Sequence, residues 1–257
     1  MKVMERLNKF LAHAGLGSRR HCEELIVAGR IRIDGETVRD LATRVEDGQT
    51  VTVDGQPVRA ERFVYWLVNK PRGYLCTNHD PGKRPLAIEL VPHVLQRVYT
   101  VGRLDEDSEG LLLLTNDGDL ANRLMHPRFG VEKTYVVQVA GDPSREDLEK
   151  LQKGVWLSDG FVRARHVRRL RRQGDSVWLR IVLSEGKNRE IRRMLARLGH
   201  KVMRLQRVAI GPIELGRLGV GKSRPIAAYE LRALRHLGPP TSKPAAERPR
   251  GAKAKHS

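Results

Sequence analysis

Cysteine, aromatic side chains and long apolar runs are all scarce in this chain. Two cysteines in 257 residues, Cys22 and Cys76, offer no metal or redox spacing and no disulfide framework, which points to a reducing, cytoplasmic setting. No run of 18 apolar residues occurs, so no segment has the length of a membrane-spanning helix and no membrane partner is expected. The opening MKVMERLNKFLAHAG places charges among its apolar positions and reads as an amphipathic helix, not a secretion signal. Nine histidines include no pair at ligand spacing beside a cysteine or carboxylate cluster, so no metal is expected. Aromatics amount to 5%, yet 40% hydrophobic content is enough for a core.

Negative charge is also in short supply. Lys and Arg number 48 against 30 Asp and Glu, a net charge of +18. The excess is concentrated. Residues 161–224 carry 18 basic and 4 acidic side chains, whereas residues 63–160 carry 12 and 14. A positive field gathered in one sector fits a polyanion-binding face better than general basicity does.

Along the chain, Leu7, Phe10, Leu11 and Ala14 share one face of a helix expected over residues 4–14, which Gly15 and Gly17 end. Ser18 is placed to cap a second helix. Arg19 and Arg20 follow it, so backbone donors and guanidinium groups can face phosphate together. IRIDGETV and TVTVDGQPV are short β-branched runs broken by Asp-Gly, a hairpin signal. Helix, helix and small sheet make a module over residues 1–62, ending in the charged linker RAERF. A second unit is expected over 63–237. Its strand candidates are VYWLVNK, RVYTVG, GLLLLTN, KTYVVQVAG, VRARHVRRL, SVWLRIVLSEG and KVMRLQRVAI. Its helix candidates are DGDLANRLM, SREDLEKLQKG and NREIRRMLARLG. The fold class is α+β, with a mixed or antiparallel sheet. Residues 238–257 lack large apolar side chains and are expected to be a disordered basic tail.

One stretch, GRLDEDSEGLLLLTND, breaks the basic pattern. Asp105, Asp107, Glu109 and Gly110 match loop positions 1, 3, 5 and 6 of a calcium-binding EF-hand. Position 12 is Asn116 where a bidentate Glu is required, and LLLL reads as a strand, so the metal reading fails. Glu106, Asp107 and Glu109 read as a solvated turn. Asp105 differs, because a strand ending in Val101-Gly102-Arg103-Leu104 delivers it to the rim of the sheet, with Gly102 allowing close backbone approach. Leu111–Leu114 read as a buried strand, Trp66, Trp156 and Trp178 as core or sheet, and His126 as structural.

This stretch resembles the catalytic motif of bacterial ribosomal pseudouridine synthases of the RsuA/RluB type. The agreement extends to VNKPRGYLCT, KTYVVQVAG and LSEGKNREIRRMLARLGHKVMRLQRVAIGPIEL in the family's order, and covers roughly residues 4–235. The first 60 residues resemble the S-four RNA-binding domain. Where many relatives have V-N-T-S after GRLD, this chain has EDSE, which weakens any assignment of RNA contacts in that loop.

The resemblance implies a cofactor-free isomerase that detaches uracil from ribose and rejoins it through carbon. Asp105 would be the nucleophile, attacking either the sugar or the ring. Arg192 would be its cationic partner, with a phosphate contact as the alternative. Tyr135 would stack on the extruded base, with an ordinary strand aromatic as the alternative. Arg103 would help hold the RNA open. Asn69 and Lys70 are as readily structural as functional. Ser18, Arg19, Arg20, Lys187, Arg189 and Arg193 would contact RNA. The implied partner is ribosomal RNA, preferably of the large subunit with the small subunit as the alternative, together with ribosome assembly intermediates, and the chain is expected to act as a monomer. From another class, a catalytically silent RNA-binding or ribosome-assembly protein on the same fold fits the same features.

Overall fold

The structure, a computed structural model, describes residues 4–237. The tail expected over 238–257 lies outside the described residues. At the N-terminal end the helix Leu7–His13 packs on the helix Arg19–Val27, whose N-terminus is capped by the Ser18 hydroxyl accepting from the His21 amide at 3.2 Å. The expected helix over 4–14 is shorter than its pattern. Met4–Arg6 instead forms a strand paired antiparallel with Arg44–Glu46, because extended backbone there gains ladder hydrogen bonds that a frayed first turn lacks.

Both Asp-Gly pairs close two-residue hairpins, Ile31–Ile33 with Glu36–Val38 and Val51–Val53 with Gln56–Pro57. Asp34, Gly35, Asp54 and Gly55 all have positive φ, as a turn matching the strand twist requires. Leu7, Leu11, Cys22, Ile26, Ile31 and Val51 fill the module's own core.

Residues 58–64 carry no regular structure. After them, among the described residues, a nine-stranded sheet organises the rest of the chain. Its central path runs His166–Gln173, Ser176–Leu183, Lys133–Ala140, Val202–Ile210, Glu109–Thr115, Tyr65–Lys70 and Ser223–Pro225. Every pairing along this path is antiparallel except one. Val202–Ile210 and Glu109–Thr115 run parallel, joined by Gln206 with Glu109 and Arg207 with Gly110. The sheet is therefore mixed.

The four leucines are consecutive because their strand is central and covered on both faces. Leu111 and Leu113 pack with Leu120, Leu124 and Leu234, while Leu112 and Leu114 pack with Val68, Val98 and Ala87. A third cluster around Val137, Leu179, Ile191 and Leu195 seats the helix Glu190–Arg197 on the other end of the sheet.

VRARHVRRL does not form one strand. Gly160–Val162 pairs with Val155–Leu157 in a separate hairpin, and His166–Gln173 becomes the edge of the main sheet. Trp156 is not core: it is 71% exposed and meets Phe161 edge to face. The helix Ala228–Arg235 was not expected, although its first turn is fixed by Glu230 accepting from the Ala227 amide at 2.9 Å.

Candidate active site

Arg103, Asp105, Tyr135, Lys187, Arg189 and Arg192 all line one cleft of about 670 Å³. It opens where the strand Tyr99–Val101 ends, and Gly102 turns the chain with φ +73°. Asp105 then begins a tight turn closed by the Ser108 amide donating to the Asp105 carbonyl at 3.0 Å. The turn is held from beneath by the segment after Tyr65–Lys70. The fully buried Lys70 ammonium donates to the carbonyls of Ser108 at 2.8 Å and Pro71 at 2.9 Å, and the Gly73 amide donates to the Glu106 carbonyl at 2.8 Å. Asn69 donates to the Leu218 carbonyl at 2.7 Å. Lys70 and Asn69 thus build the platform on which the acidic turn rests.

The acids of this turn are not merely solvated. Glu106 faces Arg84 at 3.3 Å, and Asp107 faces Arg189 at 3.1 Å and Arg192 at 3.2 Å. Glu109 is 5% exposed and paired with Arg204. Partial burial disfavours the charge of Asp107. The hydrogen bond from Arg189 and the nearby Arg192 charge outweigh it and hold the carboxyl below its usual range.

Asp105 keeps 31% of its side chain exposed to the cleft, with Arg189 Nη1 at 3.5 Å as its cation. Arg192, expected beside Asp105, instead reaches Asp107 and the Ser108 hydroxyl at 3.3 Å. The reason is local. Arg189 precedes the helix in a left-handed conformation with φ 47°, which turns it back toward the acidic turn. Arg192, one turn in, is anchored by the Val202 carbonyl at 3.4 Å.

The remaining expected residues fall in two groups. Lys187 donates to the carbonyls of Asp159 and Phe161 at 3.2 and 3.3 Å. Arg193 pairs with Asp159 at 2.6 Å and reaches the Ser158 hydroxyl at 3.0 Å. These two cations staple the Val155–Val162 hairpin to the helix Glu190–Arg197, so Arg193, expected to meet RNA, has internal partners and does not line the cleft. Ser18, Arg19 and Arg20 are exposed. Ser18 and Arg19 line a neighbouring groove of about 730 Å³ between the N-terminal helices and the helix Gly118–Met125. Met125 lines both concavities, so they lie side by side. His126 accepts from the Arg128 amide at 3.2 Å and is structural.

Sequence reasoning passed over Lys133, Arg207 and Ser108, which line the cleft too. Lys133 carried a visible signal, since it stands two residues before Tyr135 in a period-2 strand.

Comparison with known proteins follows from this geometry. The model of the RNA pseudouridylate synthase family matches residues 64–197, and that of the S4 domain matches residues 5–51. An uncharacterized RNA pseudouridine synthase of Aquifex aeolicus is 44% identical over 231 residues, covering 89% of this chain and 93% of the relative. The ribosomal large subunit pseudouridine synthase B of Bacillus subtilis is 39% identical, covering 91% and 97%. A crystal structure of a pseudouridylate synthase superposes with a TM-score of 0.64 at 28% identity, over 90% of this chain and 99% of that one. With an S4 domain ahead of a synthase domain built around the Asp105 cleft, the chain belongs to the RNA pseudouridylate synthase family and is an isomerase of that type.

Proposed function

We propose that this enzyme converts a uridine of large-subunit ribosomal RNA to pseudouridine in the cytoplasm, as a monomer and without a cofactor, with Asp105 as nucleophile. The observation that carries the reading is a partly open carboxylate on a rigid turn, facing a cleft, with a cation 3.5 Å away. Such a carboxylate can attack an electrophilic carbon and leave again. Tyr135, 9% exposed on the sheet face of the cleft, is placed to stack on an extruded base. Arg103 at the exposed rim is placed to hold the gap in the RNA, and Arg189 and Arg192 to fix the acidic turn. Residues 1–62 would grip RNA through Arg19 and Arg20 while residues 63–237 do the chemistry. The large-subunit assignment rests on the name of the Bacillus subtilis relative.

Asp105→Asn tests the proposal. The variant should fold with an unchanged melting temperature, bind ribosomal RNA and form no pseudouridine. Wild-type conversion retained in the variant refutes the nucleophile. Pseudouridine mapping in both ribosomal RNAs, with and without the enzyme, identifies the subunit.

A further inference from the structure

Two cations on the floor of the cleft have no role in the reading above. Lys133 lies two residues before Tyr135 on the same strand, and Arg207 stands directly opposite Tyr135 on the neighbouring strand. All three line the cleft. Arg207 is only 4% exposed. Its Nε donates to the Leu111 carbonyl at 2.7 Å, while Nη2 is buried with no hydrogen-bond partner among the described residues. The Lys133 ammonium likewise makes no hydrogen bond or ion pair among the described residues. The carboxylate acting on it is that of Glu190, which is itself 4% exposed and already accepts from the Lys187 amide at 2.8 Å.

Two neighbouring cations, Arg207 almost wholly buried and Lys133 partly buried, with no carboxylate paired to either, are costly to fold. Such an arrangement fits a partner that arrives with the substrate. We propose that Lys133 and Arg207 form a seat for the negative charge that the uracil ring develops during isomerisation.

The inference rests on the proposed function and specifies what its site must stabilise. When the C1′–N1 bond breaks, its electron pair goes to N1, and the charge spreads to the two ring carbonyl oxygens. Asp105 bonds C1′ as C1′–N1 breaks; rejoining forms C1′–C5 as the Asp105–C1′ bond breaks, and the C5 proton is lost as N1 gains one, so product and substrate have the same atoms. If Asp105 attacks the ring carbon C6 instead, the electron pair of the C5=C6 bond moves onto the C4 carbonyl oxygen, one of the same two. Both routes place an anion beside Tyr135, where donors already fixed in a low-dielectric pocket are most effective. A backbone phosphate is the less suitable occupant, since phosphates stay at the rim while Arg207 is almost wholly buried.

The protonation of Lys133 gives the seat a pH signature. Burial, reinforced by Arg207 on the adjacent strand and opposed by Glu190 on the helix, lowers its pKa to about 8. Tyr135 stands on its own strand, and the cleft also presents Arg103, Asp105, Glu185, Arg189 and Arg192, with Cys76 and Lys187 at its lining.

The test is Lys133→Met in the full chain, with single-turnover conversion measured at saturating enzyme on an RNA the wild type modifies. The expected rate loss is about 10²- to 10³-fold, with RNA affinity and its salt dependence unchanged. The melting temperature should hold or rise, because a buried charge has been removed. Lys133→Arg should restore most of the rate. It should also abolish the decline expected of the wild type as pH rises through about 8, since arginine stays protonated. On 5-fluorouridine RNA fluorine itself stabilises the ring anion and leaves no C5 proton to lose, so the reaction is read there as breakage of the C1′–N1 bond, and the Lys133→Met defect in that step should shrink at least about tenfold. Arg207→Lys, which keeps a cation in place, should lose less rate than Lys133→Met.

Weaker binding with an unchanged rate would make the pair a phosphate clamp and overturn the proposal. Parallel loss of rate and melting temperature would make it packing, and an equal defect on both RNAs would remove the ring charge from the argument. A wild type that makes no pseudouridine refutes the proposed function and the seat with it. An active wild type with an active Lys133→Met refutes the seat alone.

Discussion

Replacing Gly110 by alanine should be among the most damaging single-methyl changes in this chain. Gly110 sits at the one parallel junction of the sheet's central path, paired with Arg207. Its φ is +108°, and a Cβ built there lies 2.3 Å from the Arg207 carbonyl oxygen and 2.7 Å from the Arg207 amide nitrogen. Both are backbone atoms and no rotamer change relieves them. The forbidden backbone conformation costs about 1–2 kcal/mol. Forcing the strands apart adds about 1–3 kcal/mol of overpacking and about 1 kcal/mol for each weakened ladder bond. The total is about 3–6 kcal/mol, against a typical folding stability of about 5–15 kcal/mol. At about 2–4 °C per kcal/mol for a domain of this size, the melting temperature should fall by roughly 6–24 °C.

The proper control is Gly174→Ala. There φ is also positive, at +56°, but no atom lies within 4 Å of the added methyl, so only backbone strain remains. Thermal unfolding followed by circular dichroism measures both. Equal shifts within about 2 °C would refute the steric argument and reduce Gly110 to an ordinary turn glycine.

Three further outcomes follow from the same geometry. Asp107→Asn removes the ion pairs with Arg189 and Arg192. Because the carboxylate is 48% exposed, stability should change by less than about 1 kcal/mol, whereas single-turnover rate should drop about 10- to 100-fold as the cations lose position; a rate within twofold of wild type refutes this. Asp80 is held down to about 2 by hydrogen bonds from the Arg84 side chain and amide. Its folded pKa lies below the unfolded value of about 3.9, so its contribution is complete above that value and is lost as pH falls toward 2. Asp80→Asn should flatten the acid limb of stability between those limits, and an unaltered limb argues against the pair. Replacing exposed Arg19 and Arg20 by glutamine should weaken RNA binding in all sequence contexts and reduce the slope of log K against log salt by about one for each phosphate no longer neutralised; an unchanged slope removes them from the RNA path.

What the sequence makes legible here is whatever depends on local pattern. Asp-Gly pairs encode the hairpins, four leucines encode a strand covered on two sides, and Ser18 encodes a cap. The order of motifs leads to the Asp105 cleft. What it hides depends on three-dimensional pairing. Nothing in EDSE tells that Glu109 points to Arg204 or that Glu106 points to Arg84, since those arginines lie 95 and 22 residues away. The family resemblance implies that Arg192 meets Asp105, but motif order does not reveal that the helix starts one residue after a left-handed Arg189, which reaches the carboxylate first. Lys133 reads as an ordinary polar strand residue until Arg207 is found across the ladder from Tyr135.

The parallel junction also sets an order of events during synthesis. The core of the N-terminal module draws on residues between 7 and 58, so it can close while most of the chain is still unmade. Asp105 and Gly110 emerge next, but their partners Arg189, Arg192 and Arg207 follow only after roughly another hundred residues, some 5–20 s at ordinary elongation rates. The S4 domain is therefore complete well before the Asp105 turn has its cations. A nascent chain can engage RNA before it can modify any, and chemistry is switched on by the last strands to arrive.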